Sequence, residues 1–110
     1  MLNASYQVDY ASWDSLKESV KEAFNVELIT PDDQFSFQEL FCVLREKYGL
    51  DPCFYQRGVL WRVHASRATN WWSEDVDICV AAARAALSWY LSRLGNDRHP
   101  IYGVQRDVSH

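Results

Sequence analysis

The chain has 110 residues, of which 48% are hydrophobic and 15% aromatic, with only four glycines and three prolines. That length predicts a single domain, and that composition supplies enough apolar surface for a core and excludes a disordered chain. The net charge of −4 and a pI of about 5.2 weigh against general affinity for nucleic acid, and no apolar run approaches the length needed to span a bilayer.

The charge is unevenly spread. Residues 1–51 hold ten acidic and four basic side chains, a balance of −6; residues 52–110 hold five acidic side chains and seven arginines, a balance of +2. An acidic face opposite an arginine-bearing one is the sharper reading of this asymmetry. Cys42, Cys53 and Cys79 stand far apart with no C-x-x-C pair. An odd count at that spacing fits neither a disulfide framework nor a zinc site, so all three are expected to be small buried thiols in a reducing compartment. With no charged-then-apolar leader in the N-terminal residues, the expected location is the cytoplasm.

In chain order, "ASYQVDY" alternates Tyr6, Val8 and Tyr10 against Ser5, Gln7 and Asp9, which predicts a half-buried strand. Ser12 then caps a helix whose apolar face is Trp13, Leu16, Val20 and Phe24. "VELIT" reads as a short strand and "TPDD" as a turn around Pro31. In "FSFQEL", Ser36 and Glu39 form a capping box and Phe35 and Leu40 occupy staple positions. A second helix is therefore expected from Phe37, with Phe37, Leu40, Phe41, Leu44 and Tyr48 facing inward and Gly49 closing it.

"CFYQRGVLWRVHA" predicts a hairpin turning at Arg57-Gly58, with strands near Cys53–Gln56 and Val59–Ala65. Val59, Trp61, Val63 and Ala65 share one face of the second strand; Leu60, Arg62, His64 and Ser66 share the other. Ser73 then reads as an N-cap, with Glu74, Asp75 and Asp77 as dipole-compensating acids, for a long helix from Glu74 to Leu94. Its polar stripe is narrow (Asp77, Arg84, Ser88, Ser92), so it is expected either to be central or to use a second buried contact. Trp71 and Trp72 lie on the approach to that cap; Trp72 is expected to close the core and Trp71 to point outward. "IYGVQRDV" reads as a last strand or an extended tail. The fold class is α+β, one domain over residues 1–110, with three helices packed on a small, mainly antiparallel sheet.

No phosphate loop, nucleophile elbow or zinc-protease motif is present, and the three histidines lack metal-ligand spacing, so neither a metal, a cofactor nor a catalytic residue is expected. Arg62 and His64, on one strand face, are the alternative: a small enzyme or ligand pocket with His64 as general base. The stronger signal is Tyr55, Arg57, Trp61, Arg62, Arg67 and Trp71, a run of aromatic and arginine residues of the types that dominate protein interfaces.

The stretch from Ser36 to Leu94, a capped helix, a hairpin with Trp61 near its end and then "EDVDICVAAARAAL", resembles the phage ABA-sandwich domain family. That resemblance covers about half the chain and implies a small phage protein without assigned catalytic residues. The leading expectation is thus a non-enzymatic phage-type protein that binds and modulates a host or defence macromolecule, such as a nucleic-acid-handling complex, in the manner of an anti-CRISPR inhibitor. A membrane partner is not expected, and a self-associating structural protein, with a homodimer through the 74–94 helix, is a further alternative.

Overall fold

The structure, a computed structural model, describes residues 8–67 and 69–94. Three helices, α1 (Trp13–Phe24), α2 (Ser36–Tyr48) and α3 (Ile78–Arg93), surround a three-stranded antiparallel sheet of β1 (Cys53–Arg57), β2 (Leu60–His64) and β3 (Trp72–Asp75) in the order β1-β2-β3. The α+β class and the antiparallel hairpin expected from the sequence are therefore present. The last expected strand, and Tyr6 of the first, lie outside the described residues.

The first helix forms as its sequence dictates. The Ser12 hydroxyl accepts a hydrogen bond from the Ser15 N–H, and Leu16, Val20 and Phe24 are buried. Asn25 closes the helix at φ 57°, a left-handed conformation that asparagine tolerates better than most residues. Neither "VDY" nor "VELIT" makes a strand among the described residues, yet Val8, Tyr10, Val26 and Leu28 are all buried. Alternation in these segments records which side chains enter the core; among the described residues no neighbouring strand lies alongside to form a ladder.

At α2 the expected capping box is replaced. Ser36 is the first helical residue, and its N–H donates to Asp33 Oδ2 at 2.7 Å. Asp33 is placed for this by the Thr30–Asp33 turn, whose hydrogen bond runs from Asp33 N–H to Thr30 O across Pro31. The Ser36 hydroxyl instead accepts from the Ile29 N–H and lies 3.4 Å from Cys79 Sγ. Phe35, assigned to a staple, is 76% exposed. Gly49 ends the helix at φ 68° as expected.

The hairpin turns one residue later than the sequence implied. Arg57 pairs with Leu60, leaving Gly58-Val59 as the loop. Gly58 takes φ 63° and Val59 does not take a positive φ, the arrangement of a type II′ turn, in which glycine belongs at the first loop position. The larger correction lies at "WWSED". These residues do not open a helix; Trp72–Asp75 form β3, antiparallel to β2, and α3 starts only at Ile78 behind Asp77. The acids that suit a helix N-terminus alternate as well as a strand requires, and pairing with β2 decides between the two.

α3 is the centre of the fold. It packs against β2, β3, α1 and α2, and every residue from Ile78 to Ser88 is buried. The middle of the expected polar stripe does not meet water: Arg84 is wholly buried and Ser88 nearly so, while Asp77 and Ser92 at its ends are half-buried. The small side chains Ala81, Ala82, Ala83, Ala85 and Ala86 admit close neighbours on all sides. Because the chain covers this helix with its own elements, its 78–88 face is not available for the homodimer contemplated from sequence.

Arg84 ties several groups together inside that core. Its Nε donates to Tyr10 O at 2.9 Å, and its Nη1 approaches Glu74 O at 3.4 Å and Asp75 Oδ1 at 3.5 Å. A buried cation is tolerated only when a carboxylate and further acceptors surround it. Replacing Arg84 by Leu is expected to destabilise the fold by about 3–5 kcal/mol, because the Asp75 carboxylate is left buried without its cation. Adding Asp75→Asn in the same chain should recover part of the loss, as read from urea midpoints. Gly49→Ala meets no steric obstacle within 4 Å, so its expected cost of about 1 kcal/mol in the same assay reports backbone strain alone.

Candidate functional site

Strand parity divides the sheet into two faces. Val63, Ser73 and Asp75 turn toward α3 and are buried, with Trp61 and Phe54 on the same side. The opposite face carries Tyr55 and Arg57 from β1, Arg62 and His64 from β2, and Trp72 and Glu74 from β3. The register sets these side chains in cross-strand rows: Tyr55 beside Arg62 beside Glu74, and His64 beside Trp72.

Arg62 is the hub of this face. Its Nε donates to Glu74 Oε2 at 2.8 Å, and its guanidinium lies 3.7 Å from the centre of the Trp72 ring. Arg57 reaches the same Glu74 oxygen at 3.1 Å. Burial alone would disfavour the Arg62 cation, but the Glu74 carboxylate and the Tyr55 hydroxyl outweigh it and raise its pKa. Two guanidinium groups against one carboxylate leave the cluster with a net positive charge. Arg57, half exposed, keeps donors turned to solvent.

His64 is set between two rings, 6.0 Å from Tyr55 in a stacked arrangement and 6.2 Å from Trp72. Burial first, and the Arg62 cation second, hold its pKa below the ordinary histidine value. It is therefore neutral at pH 7, an apolar-leaning plate between aromatic neighbours.

Of the six residues singled out from sequence, Tyr55, Arg57 and Arg62 stand together on this face. Trp61 and Trp71 do not join them. Both are half-buried and pack on the core, Trp61 with its ring 5.9 Å from Phe54. Arg67 sits beyond β2, where its Nε holds Asp51 Oδ2 at 3.0 Å. The assignment of the two adjacent tryptophans is reversed: Trp71 turns to the core and Trp72 to the open face. Trp72 and Glu74 were missed because their segment was read at helical period. The signal that could have found them is alternation, Trp72 and Glu74 against Ser73 and Asp75, in a register that continues the Arg62/His64 face.

The cysteines differ in environment. Cys79 is buried, its S–H donating to Asp33 O at 3.0 Å, and burial pushes its thiol pKa up. Cys53 is half-buried and shifted the same way, again chiefly by burial. Cys42, expected inside, is exposed on α2. Low-pKa thiolate character, which nucleophilic catalysis requires, is thus opposed at Cys53 and Cys79. A groove along α1 is lined, among the described residues, by Asp14, Lys17, Glu18, Lys21 and Glu27, with neither an aromatic ring nor a histidine among them. Among the described residues no cluster of histidine, cysteine and carboxylate side chains has the makings of a metal site, and no helix is long and apolar enough to cross a membrane.

The depressed His64 pKa fixes a sign. The unfolded chain takes up this proton near the ordinary histidine value of 6.5, and the folded chain only at lower pH. The stability that His64 contributes is therefore fully present above about pH 6.5 and falls as the pH drops below it, until the folded imidazole protonates. Thermal melts between pH 7.5 and 5 should show a steeper loss for the wild type than for His64→Gln.

No protein-family model, no curated protein and no solved structure matches this chain.

Proposed function

We propose that this protein acts by binding another protein through the sheet face opposite α3, where Tyr55 and Arg57 are exposed and Arg62, Trp72 and Glu74 are half-buried, and that it catalyses no reaction. The observation that carries this reading is the Trp72–Arg62–Glu74 stack. A tryptophan ring and a guanidinium at 3.7 Å, locked by a carboxylate at 2.8 Å, form a rigid platform on the sheet side facing away from the central helix. Trp, Tyr and Arg are the residue types that dominate binding energy, and side chains already fixed in place lose little entropy on association. The net positive cluster within a chain of net charge −4 favours a partner with an acidic recognition patch over the phosphate backbone of a nucleic acid. The same features agree with a phage-type modulator of a host or defence complex, with the anti-CRISPR-like reading as its most specific form.

The enzyme alternative uses His64 and Arg62. Both lie on one strand, with His64 stacked on Tyr55 and Arg62 engaged by Trp72 and Glu74. Their nearest partners in the fold thus hold them as platform members, which favours binding over proton transfer.

The test is capture from a bacterial lysate at physiological salt, with the retained protein identified by mass spectrometry and its affinity then measured. Trp72→Ala and Arg57→Glu are each expected to weaken binding by about 2 kcal/mol, roughly 30-fold. Lys17→Glu on α1 should leave it unchanged. A lysate that yields no partner, or a partner equally bound by all three variants, overturns the reading.

A further inference from the structure

The two edges of the sheet are treated differently by the rest of the fold. The Ala65 N–H donates to Trp71 O at 2.8 Å, which sets the parity of the β2–β3 ladder. Ser73 and Asp75 hydrogen bond to β2, so the backbone groups of Trp72 and Glu74 point outward. Two of these are engaged within the chain: the Trp72 N–H donates to Asn70 O, and Glu74 O receives Arg84 Nη1. On the other side, the two-residue turn makes Arg57 and Leu60 a hydrogen-bonded pair, followed by Tyr55 with Arg62 and Cys53 with His64. The N–H and C=O groups of Phe54 and Gln56 then point away from β2. Among the described residues no hydrogen bond reaches them.

β1 also carries few of the devices that normally protect a free edge, its one charge being Arg57 at its end. Cys53–Arg57 contains no proline, no lysine and no bulge, its register is continuous, and Phe54 through Arg57 are exposed. We propose that this edge pairs with β1 of a second copy of the chain, antiparallel about a two-fold axis at Tyr55, joining two three-stranded sheets into one of six strands. Complementarity of the strand to itself is what selects a second copy. In that register Phe54 and Gln56 exchange backbone hydrogen bonds with Gln56 and Phe54 of the other copy. Tyr55 meets Tyr55 at a non-hydrogen-bonded position, where cross-strand side chains come closest. The only charge on β1, Arg57, falls opposite Cys53 and not opposite its own equivalent, so no like charges face each other. Pairing would also cover Phe54 and Tyr55, now 44% and 43% exposed. Both copies of the Trp72–Arg62–Glu74 platform would then stand on one continuous sheet face, presenting it twice. Self-pairing requires no external partner, so it stands or fails separately from the binding reading.

Light scattering across micromolar to millimolar concentration tests this. The wild type is expected to approach the mass of two chains at the upper end and one chain on dilution. Gln56→Pro removes an outward N–H that β2 does not use, and is expected to stay at one chain throughout with its circular dichroism unchanged. Register is read separately, with Cys42 and Cys53 replaced by Ser. There Tyr55→Cys should form a disulfide-linked pair under mild oxidation, because directly opposed strand residues lie within disulfide reach. Arg57→Cys should not. A wild type that is monomeric at every concentration, a dimer that Gln56→Pro leaves intact, or cross-linking by Arg57→Cys in place of Tyr55→Cys would each overturn the proposal.

Discussion

Arg84 is the constraint around which this fold is organised. A guanidinium with no solvent exposure must find its acceptors inside the protein, and it finds them in two separate pieces of chain. It ties the backbone of Tyr10, ahead of α1, to the backbone and side chain of β3, all from the middle of α3. Breaking such a set costs more than forming it gains, since each partner left behind is a buried polar group without compensation. The buried arginine therefore contributes to specificity as well as to stability. It fixes where β3 lies relative to the central helix, and with β3 the whole register of the sheet.

Two consequences run outward from that contact. Asp75 is drawn inward toward Arg84, and strand alternation then obliges Trp72 and Glu74 to face the other way. The platform on the open face is thus the reverse side of the buried ion pair. The second consequence concerns the edges: Arg84 Nη1 engages the outward carbonyl of Glu74 on β3, while β1 keeps its outer backbone groups unengaged among the described residues.

The open face has its own economy of charge. Glu74 is shared by Arg57 and Arg62, so the acid fixes both guanidinium groups without neutralising both. Pinned by Glu74 and lying over Trp72, Arg62 serves as scaffold. Arg57, more exposed, is the residue with capacity to meet a partner. His64, kept neutral by burial and by Arg62, fills the space between Tyr55 and Trp72 without adding charge. Of the arginines in the second part of the sequence, Arg57 and Arg62 stand on this face, Arg67 pairs with Asp51 beyond β2 and Arg84 lies in the core, while α1 carries a mixed acidic and basic surface.

The sequence by itself determined the local structure. Side-chain spacing set the inward faces of α1 and α2, Ser12 set the start of α1, Gly49 the end of α2, and the alternation of Arg62 and His64 against Trp61 and Val63 set the two faces of β2. These follow from periodicity and from backbone preferences that need no distant partner. What only the tertiary structure decided was everything that depends on a neighbour. "WWSED" satisfies both a helix cap and a strand, and only pairing with β2 selects the strand and turns Trp72 outward. Ser36 meets the requirements of an N-cap, but Asp33 reaches the helix first because a turn delivers it there. A helical wheel places Arg84 and Ser88 on one stripe but cannot say whether that stripe meets water; four packed neighbours put it in the core. Periodicity tells which residues travel together, and long-range packing tells where they go.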